Sequence, residues 1–364
     1  MAPAVLRPSS AYIWTNCAAA PSFAERVPEP EPTDAAREGT CAAWLAEITI
    51  KSGGMCREHL NASHENGWLV TAEMVNYVQE YVDMLRGRGG IVSAEQRVHL
   101  TDFISGTLDA STSGAAVATT LYVDDLKYGF EIVEVYEHYQ LLIYAAAELR
   151  RLGATALHIT HVQLGIYQPR IPHPDGIHRT WTLTVNDLWQ WAEWIVERGT
   201  ACMLPEPVAT PGRQCKYCRA LTTCHAAQAT LQNGYDILAT DRRQHVRTSD
   251  DLAKYLDFLD LLTVLAKATQ SAAQAEAESR MKRGEHIRGW FFKSRKGHRV
   301  LKYDPALVHF LTGINPVMTV PMKPPDLERA GVPKKLVDLV SVAPDIGHKL
   351  ERMPDSFFRK VMGE

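Results

Sequence analysis

The hydrophobic period of this chain changes twice between residues 71 and 152, and that change limits the fold more than any other feature. TAEMVNYVQEYVDMLR (71–86) repeats apolar residues at helical spacing behind Thr71, a hydroxyl suited to capping a first turn, and predicts a helix. SAEQRVHL, DFISGTLDAS and TTLYVDDLKYG follow. They are short, rich in β-branched and aromatic residues and divided by Gly and Ser, which predicts three consecutive antiparallel strands. VYEHYQLLIYAAAELRRL returns to helical spacing and ends at Gly153. ALHITHVQLGIYQPRI reads as one more strand and TVNDLWQWAEWIVERG as one more capped helix. This order describes an α/β core whose central mixed sheet combines hairpin pairs with a crossover and is flanked by helices.

On the N-terminal side, residues 9–25 read as a short helix with Cys17 near its end. The Pro/Glu-rich RVPEPEPTDAAREGT reads as a linker, and CAAWLAEITI as an amphipathic helix. Beyond the core, TSDDLAKYLDFLDLLTVLAKATQSAAQAEAESRMKRG reads as one long helix, HIRGWFFKSRKGHRVLKY as a basic hairpin, and the C-terminal stretch as short helices punctuated by proline. Two domains are expected, 1–230 for the core and 231–364 for the helical and hairpin extension packed on it.

Composition narrows the setting. With 46% hydrophobic and 22% charged residues the chain is of ordinary globular type. A formal net charge of −3 excludes a uniformly basic nucleic-acid coat, although a local basic groove remains compatible with it. No apolar run approaches the roughly 18 residues of a membrane span, and the start lacks a basic segment followed by an apolar one, so no secretory leader is expected. Seven cysteines, an odd number, argue against a disulfide scaffold and for a reducing, cytoplasmic compartment.

Chemistry concentrates in GTLDAS and LYVDDLKYG. Strand alternation puts Asp125 and Lys127 on one face and Asp124 on the other, and a hairpin would bring Asp109 beside Asp125. Two carboxylates with an ammonium alongside suit a Mg²⁺ or Mn²⁺ ion that keeps several waters, one of them placed to attack phosphorus. A surface salt bridge between Asp125 and Lys127 is the competing explanation. Gln140 and Tyr144 follow, four apart on one helical face of QLLIY. A second constellation lies in CKYCRALTTC, where Cys215, Cys218 and Cys224 are spaced C-x2-C-x5-C. Three thiolates invite a zinc or an iron–sulfur site, yet either normally takes four.

The run Asp109, Asp125-x-Lys127, Gln140-xxx-Tyr144 resembles the PD-(D/E)XK nucleases, specifically their RecB-like branch. Within it the chain is similar to a phage- and prophage-borne family and to the iron–sulfur members, AddB-type nuclease domains and CRISPR-associated RecB-like exonucleases. The matching stretches are SSAYIWTNC, EGTCAAWLAE, GTLDAS, VDDLKYGFEIVEVYEHYQLLIYA, IYQPRI, PGRQCKYCRALTTC and RGWFFKSRKGHRV. The resemblance implies a restriction-endonuclease-like core and a DNA exonuclease serving phage replication, recombination or end processing. Its partners would be DNA ends and a phage recombination or replication protein, with no membrane. It implies that Asp109, Asp125 and the backbone carbonyl of Leu126 hold Mg²⁺ or Mn²⁺, that Lys127 positions or deprotonates water, and that Gln140 and Tyr144 align the strand. It also supplies a fourth cluster ligand, Cys17, so that Cys17, Cys215, Cys218 and Cys224 would hold a 4Fe–4S cluster. Such a cluster would staple the two ends of the core, by analogy with a cross-link worth about 4–5 kcal/mol. Cys41, Cys56 and Cys202 are then packing residues.

One departure stands out. The family carries a histidine ligand in a GTxxH pattern, and here GTCAA puts Ala43 in that position. His59 and His64 lie further on, with no spacing that makes them substitutes. The alternative function is therefore a weakened nuclease fold that binds DNA ends or recruits a partner. Glu95 sits where related nucleases carry an acidic residue near the metal, and Arg170 could hold a phosphate. Residues 280–302 contain nine Lys/Arg against one acid, Glu285, with aromatic residues interleaved, and Lys293, Arg295 and Lys296 are candidate DNA contacts.

Overall fold

The computed structural model describes residues 6–29, 31–114, 119–240, 248–296, 300–301, 311–312, 324–329, 331–342 and 345–352. It has two compact units, Met1–Thr269 and Gln270–Glu364.

The first unit is built on a five-stranded sheet in the order β1 (Ile91–His99), β2 (Ser105–Ser113), β3 (Thr120–Leu126), β4 (His161–Tyr167), β5 (His178–Thr184). The first three strands form an antiparallel meander, as the sequence predicts. β3 and β4 run parallel, and β4 and β5 antiparallel. A parallel pair needs a crossover, and the helix 139–152 provides it. The sheet is thus mixed and flanked by helices.

Short helices α1 (Ala11–Trp14) and α2 (Ala20–Ala24) open the chain, with Cys17 in the turn between them rather than in one continuous helix. α3 (Asp34–Ser52) begins seven residues before CAAWLAEITI, inside the expected linker. Thr33 accepts a hydrogen bond from the Ala36 amide and caps that earlier start. Gly53 ends α3 in the left-handed region, φ 71°. α4 (Ala72–Gly87) starts at the predicted Thr71 cap, which accepts from the Met74 amide at 3.1 Å.

α5 (Tyr139–Leu152) lies between sheet and helices, so residues 141–149 are all buried. Leu141, Leu142 and Ile143 alone contribute about 1.5–3 kcal/mol each. α6 (Val185–Cys202) is capped by Thr184 on the Asp187 amide. One core joins α5, α6 and the N-terminal segment to one sheet face, and a second joins α3 and α4 to the other. Cys41, Cys56 and Cys202 are buried in these cores. α7 (His225–Thr240), which contains residue 230, and α8 (Ser249–Lys282) follow.

β5 is an addition to the expected elements. Arg179, Trp181 and Leu183 alternate with Thr180, Thr182 and Thr184, a period-2 signal masked by its polar members. β4 is shorter than expected, because Gly153–Ala156 form a turn of 3-10 helix and residues 157–158 a turn before the strand begins at His161.

The basic hairpin is corrected. β6 (Trp290–Lys296) pairs antiparallel with β9 (Asp345–Arg352), and β7 (Val300–Leu301) with β8 (Ser341–Val342). Among the described residues each half of the expected hairpin pairs with a strand much further along the chain. The C-terminal stretch therefore contains strands beside the short helices α9 (Pro324–Arg329) and α10 (Lys334–Val340).

Candidate active site and cysteine pocket

The register of β2 and β3, Ala110 opposite Asp124, sets Asp109 beside Asp125. The Leu126 amide donates to Asp109 Oδ2 at 3.2 Å, which anchors that carboxylate to the next strand. Asp125 is 1% exposed, and Lys127 Nζ lies 2.6 Å from its Oδ2. Gln140, in the first turn of α5, donates to Asp125 Oδ1 at 3.3 Å and accepts from Lys127 Nζ at 3.3 Å. Its amide also donates to the Tyr144 hydroxyl at 3.4 Å. The five residues form one patch, from two strands and a helix.

The electrostatics of the patch are unbalanced. Burial and the neighbouring Asp125 push the Asp109 carboxyl well above the usual range, and Lys127 offsets this only in part. Burial works against the Lys127 ammonium, yet Asp125 and Asp109 together hold its pKa above the ordinary lysine value. Lys127 is therefore a charged donor in this environment. Asp124 faces the opposite side of the sheet. Burial there opposes the carboxylate, but hydrogen bonds from His178 and Arg88 outweigh it and hold the pKa low.

Glu95 stands across β1–β2 from Asp109, where the ladder is interrupted between Ala94↔Ala110 and Gln96↔Leu108. Its φ of +49° is a left-handed conformation that costs a non-glycine residue about 1–3 kcal/mol. Burial, then Glu47 and Asp125, raise its pKa. Glu95 lines an open cleft of about 510 Å³ with Thr40, Ala43, Trp44, Glu47, His64 and Glu65. The structure thus brings His64 into the cleft that Ala43 also lines. Its Nδ1 accepts from the Asn66 amide at 3.2 Å, so the neutral ring carries its proton on Nε2. A metal-bound imidazole has the reverse arrangement, donating from its free nitrogen. His64 does not replace the missing ligand in this tautomer.

His138, missed in the sequence, sits at the N-terminal end of α5 with Nδ1 buried and unpartnered among the described residues. Burial lowers its pKa to about 4, against the pull of Asp125. Its place two residues before Gln140 was the only available signal. Arg170 meets an acid and two aromatic rings. It pairs with Glu38 at 2.6 Å and stacks over Tyr128 and Phe130. Gln168, two residues before it, is fully buried and holds Gly129, Glu131 and Val133 of the loop after Lys127. The side chains of Lys293, Arg295 and Lys296 lie outside the described residues.

Cys17, Cys215, Cys218 and Cys224 line a single cavity with Ile13, Ala20, Phe23, Pro211 and Leu221. The two ends of the unit meet there. Gln214 donates to the Asn16 and Thr210 carbonyls, the Ala19 amide to the Val208 carbonyl, and Arg219 to the Ala24 carbonyl. Backbone amides of Thr210 and Gly212 donate to the sulfurs of Cys17 and Cys215, both at 3.4 Å. Burial, and then the neighbouring thiols, raise the pKa of Cys215 and Cys218.

Among the described residues, no three His, Cys, Asp or Glu side chains are grouped to hold one metal ion. The four cysteine sulfurs line one small cavity, and thiolate is the ligand type that both a Cys₄ zinc and an iron–sulfur cluster take. At the acidic patch, two carboxylates leave the remaining positions of a Mg²⁺ ion to backbone and water, a usual set for that ion. No helix among the described residues is long and apolar enough to cross a membrane.

No curated protein matches this chain. A family model described as a protein of unknown function, DUF2800, matches residues 3–315. That match covers most of the chain, which therefore belongs to the DUF2800 family.

Proposed function

We propose that this chain is a metal-dependent deoxyribonuclease that hydrolyses phosphodiester bonds at DNA ends, on a PD-(D/E)XK-type core stapled by a 4Fe–4S cluster. The observation that carries the reading is the convergence of Asp109, Asp125, Lys127, Gln140 and Tyr144 into one hydrogen-bonded patch. A divalent cation bound there would supply Lewis acidity and charge neutralisation for attack on phosphorus. Asp109, Asp125 and the Leu126 carbonyl would hold it. Lys127, kept protonated by the carboxylates, orients water and offsets charge developing on the phosphate. Gln140 fixes Asp125 and Lys127 relative to each other, and the Tyr144 hydroxyl steadies Gln140. Cys17, Cys215, Cys218 and Cys224 perform no cleavage and hold the ends of the core together.

Lys127→Ala and Asp125→Asn should each lower Mg²⁺- or Mn²⁺-dependent cleavage of end-labelled DNA by about 10²–10⁴-fold with DNA binding retained. Wild-type rates in both variants would overturn the assignment. A second reading, an end-binding module with a weakened site, is favoured by Ala43, which leaves the cleft beside Glu95 without a suitable imidazole. End binding by the wild type with no cleavage in Mn²⁺ would establish it.

A further inference from the structure

Five aromatic rings form a continuous array that includes Tyr139, the residue before Gln140 of the acidic patch, and the cleavage chemistry uses none of them. Tyr136 comes from the loop before α5, Tyr139 from its first turn, Trp181 from β5, and Trp191 and Trp194 from α6. Tyr136 and Trp181 have centroids 4.8 Å apart, Trp181 and Trp191 6.5 Å, and Trp191 and Trp194 6.0 Å. Tyr139 lies 5.3 Å from Trp194 and 6.2 Å from Trp191. All but Tyr136 line an open cleft of about 730 Å³, with Thr182, Asp187 and Gln190 at its wall. Packing explains the inner faces of these rings, which lean on the core. It does not explain the open side, or Tyr136, which is 64% exposed while its ring meets Trp181.

Flat π faces beside an amide, a hydroxyl and a carboxylate match the recognition chemistry of an unpaired nucleobase, stacked on its face and hydrogen-bonded at its edge. Position specifies which base. Tyr139 belongs to the cleft and Gln140, the next residue, bonds to Asp125. The Arg198 guanidinium lies 5.3 Å over the Trp194 ring and adds a cation to the array. We propose that this cleft stacks unpaired bases of the DNA strand whose phosphodiester lies at Asp109 and Asp125. The inference rests on the nuclease reading and adds a substrate class to it, single-stranded or frayed ends.

The test measures binding by the full chain, in EDTA so that nothing is cut, using fluorescently labelled oligo(dT) and an abasic oligomer of equal length. Tyr136→Ala, an exposed and structurally mild change, and Trp191→Ala should each weaken oligo(dT) binding by about 5- to 100-fold. Abasic binding should stay as in the wild type, and Trp191→Phe, which keeps a ring, should recover most of the loss. Unchanged oligo(dT) binding in Tyr136→Ala and Trp191→Phe together with Trp191→Ala overturns the proposal, as does a wild type that binds both oligomers equally. DNA cleavage with ring-independent binding would remove the cleft and leave the nuclease. Ring-dependent oligo(dT) binding with no cleavage in Mn²⁺ would keep the cleft and remove the nuclease.

Discussion

Asp109→Asn should stabilise the metal-free protein and abolish its response to metal. Burial and Asp125 raise the Asp109 pKa above its unfolded value, so the folded state binds the extra proton. Stability is then lost as pH rises from the unfolded pKa towards the folded one, and above that window the second buried charge is a standing penalty. Each pH unit separating the folded pKa from the unfolded one is worth about 1.36 kcal/mol. Asp109 is half-buried, so solvent screening keeps the relief on the order of 1 kcal/mol. Asparagine retains the oxygen that accepts from the Leu126 amide, so the anchoring bond survives. For a unit of this size Tm should rise by about 2–4 °C per kcal/mol. Thermal unfolding at pH 7 in EDTA reads this directly, and the gain should vanish near pH 4, where the folded wild-type carboxyl is already protonated. Mg²⁺ at about 100 times its Kd should stabilise the wild type by about 2.7 kcal/mol and leave the variant where it was. An asparagine variant less stable than wild type in EDTA, or one that gains equally from Mg²⁺, would refute the reasoning.

Two further outcomes test the surroundings of the patch. Ala43→His places an imidazole in the cleft shared with Glu47 and Glu95 and should raise Mn²⁺-dependent cleavage by at least about tenfold, as other ligand-shell changes do; an unchanged rate would show that the alanine is not a lost ligand. Cys17→Ser should remove the visible absorbance and most of the bound iron from anaerobically prepared protein and lower its Tm, whereas wild-type protein holding zinc and no iron would exclude the cluster.

Local chemistry made much of the fold legible. The Thr71 cap, the helical spacing of LLIYAAAEL and the meander of three strands are encoded within a few residues each, and the structure forms them where the pattern predicts. The same holds for the split of Asp124 from Asp125, because alternate strand residues point to opposite faces. β5 was hidden because its inward row includes an arginine, Arg179, buried by hydrogen bonds to the carbonyls of Val133 and Gly176 and to Gln168.

The sequence by itself determined the residue types of the acidic patch, their spacing and the elements that carry them. Tertiary structure alone decided who meets whom. It brought Cys17 to Cys215, Cys218 and Cys224, gave Glu95 its left-handed turn towards Asp109, and buried His138 near Asp125 and Lys127. It also bound Arg170 to Glu38 and gave β6 to β9 in place of a local hairpin. Helical and strand periods arise from backbone geometry within one or two turns, so they can be read from a short window. Ion pairs, strand partners and pKa shifts depend on which distant groups share a desolvated space, and that is defined only once the chain has closed around it.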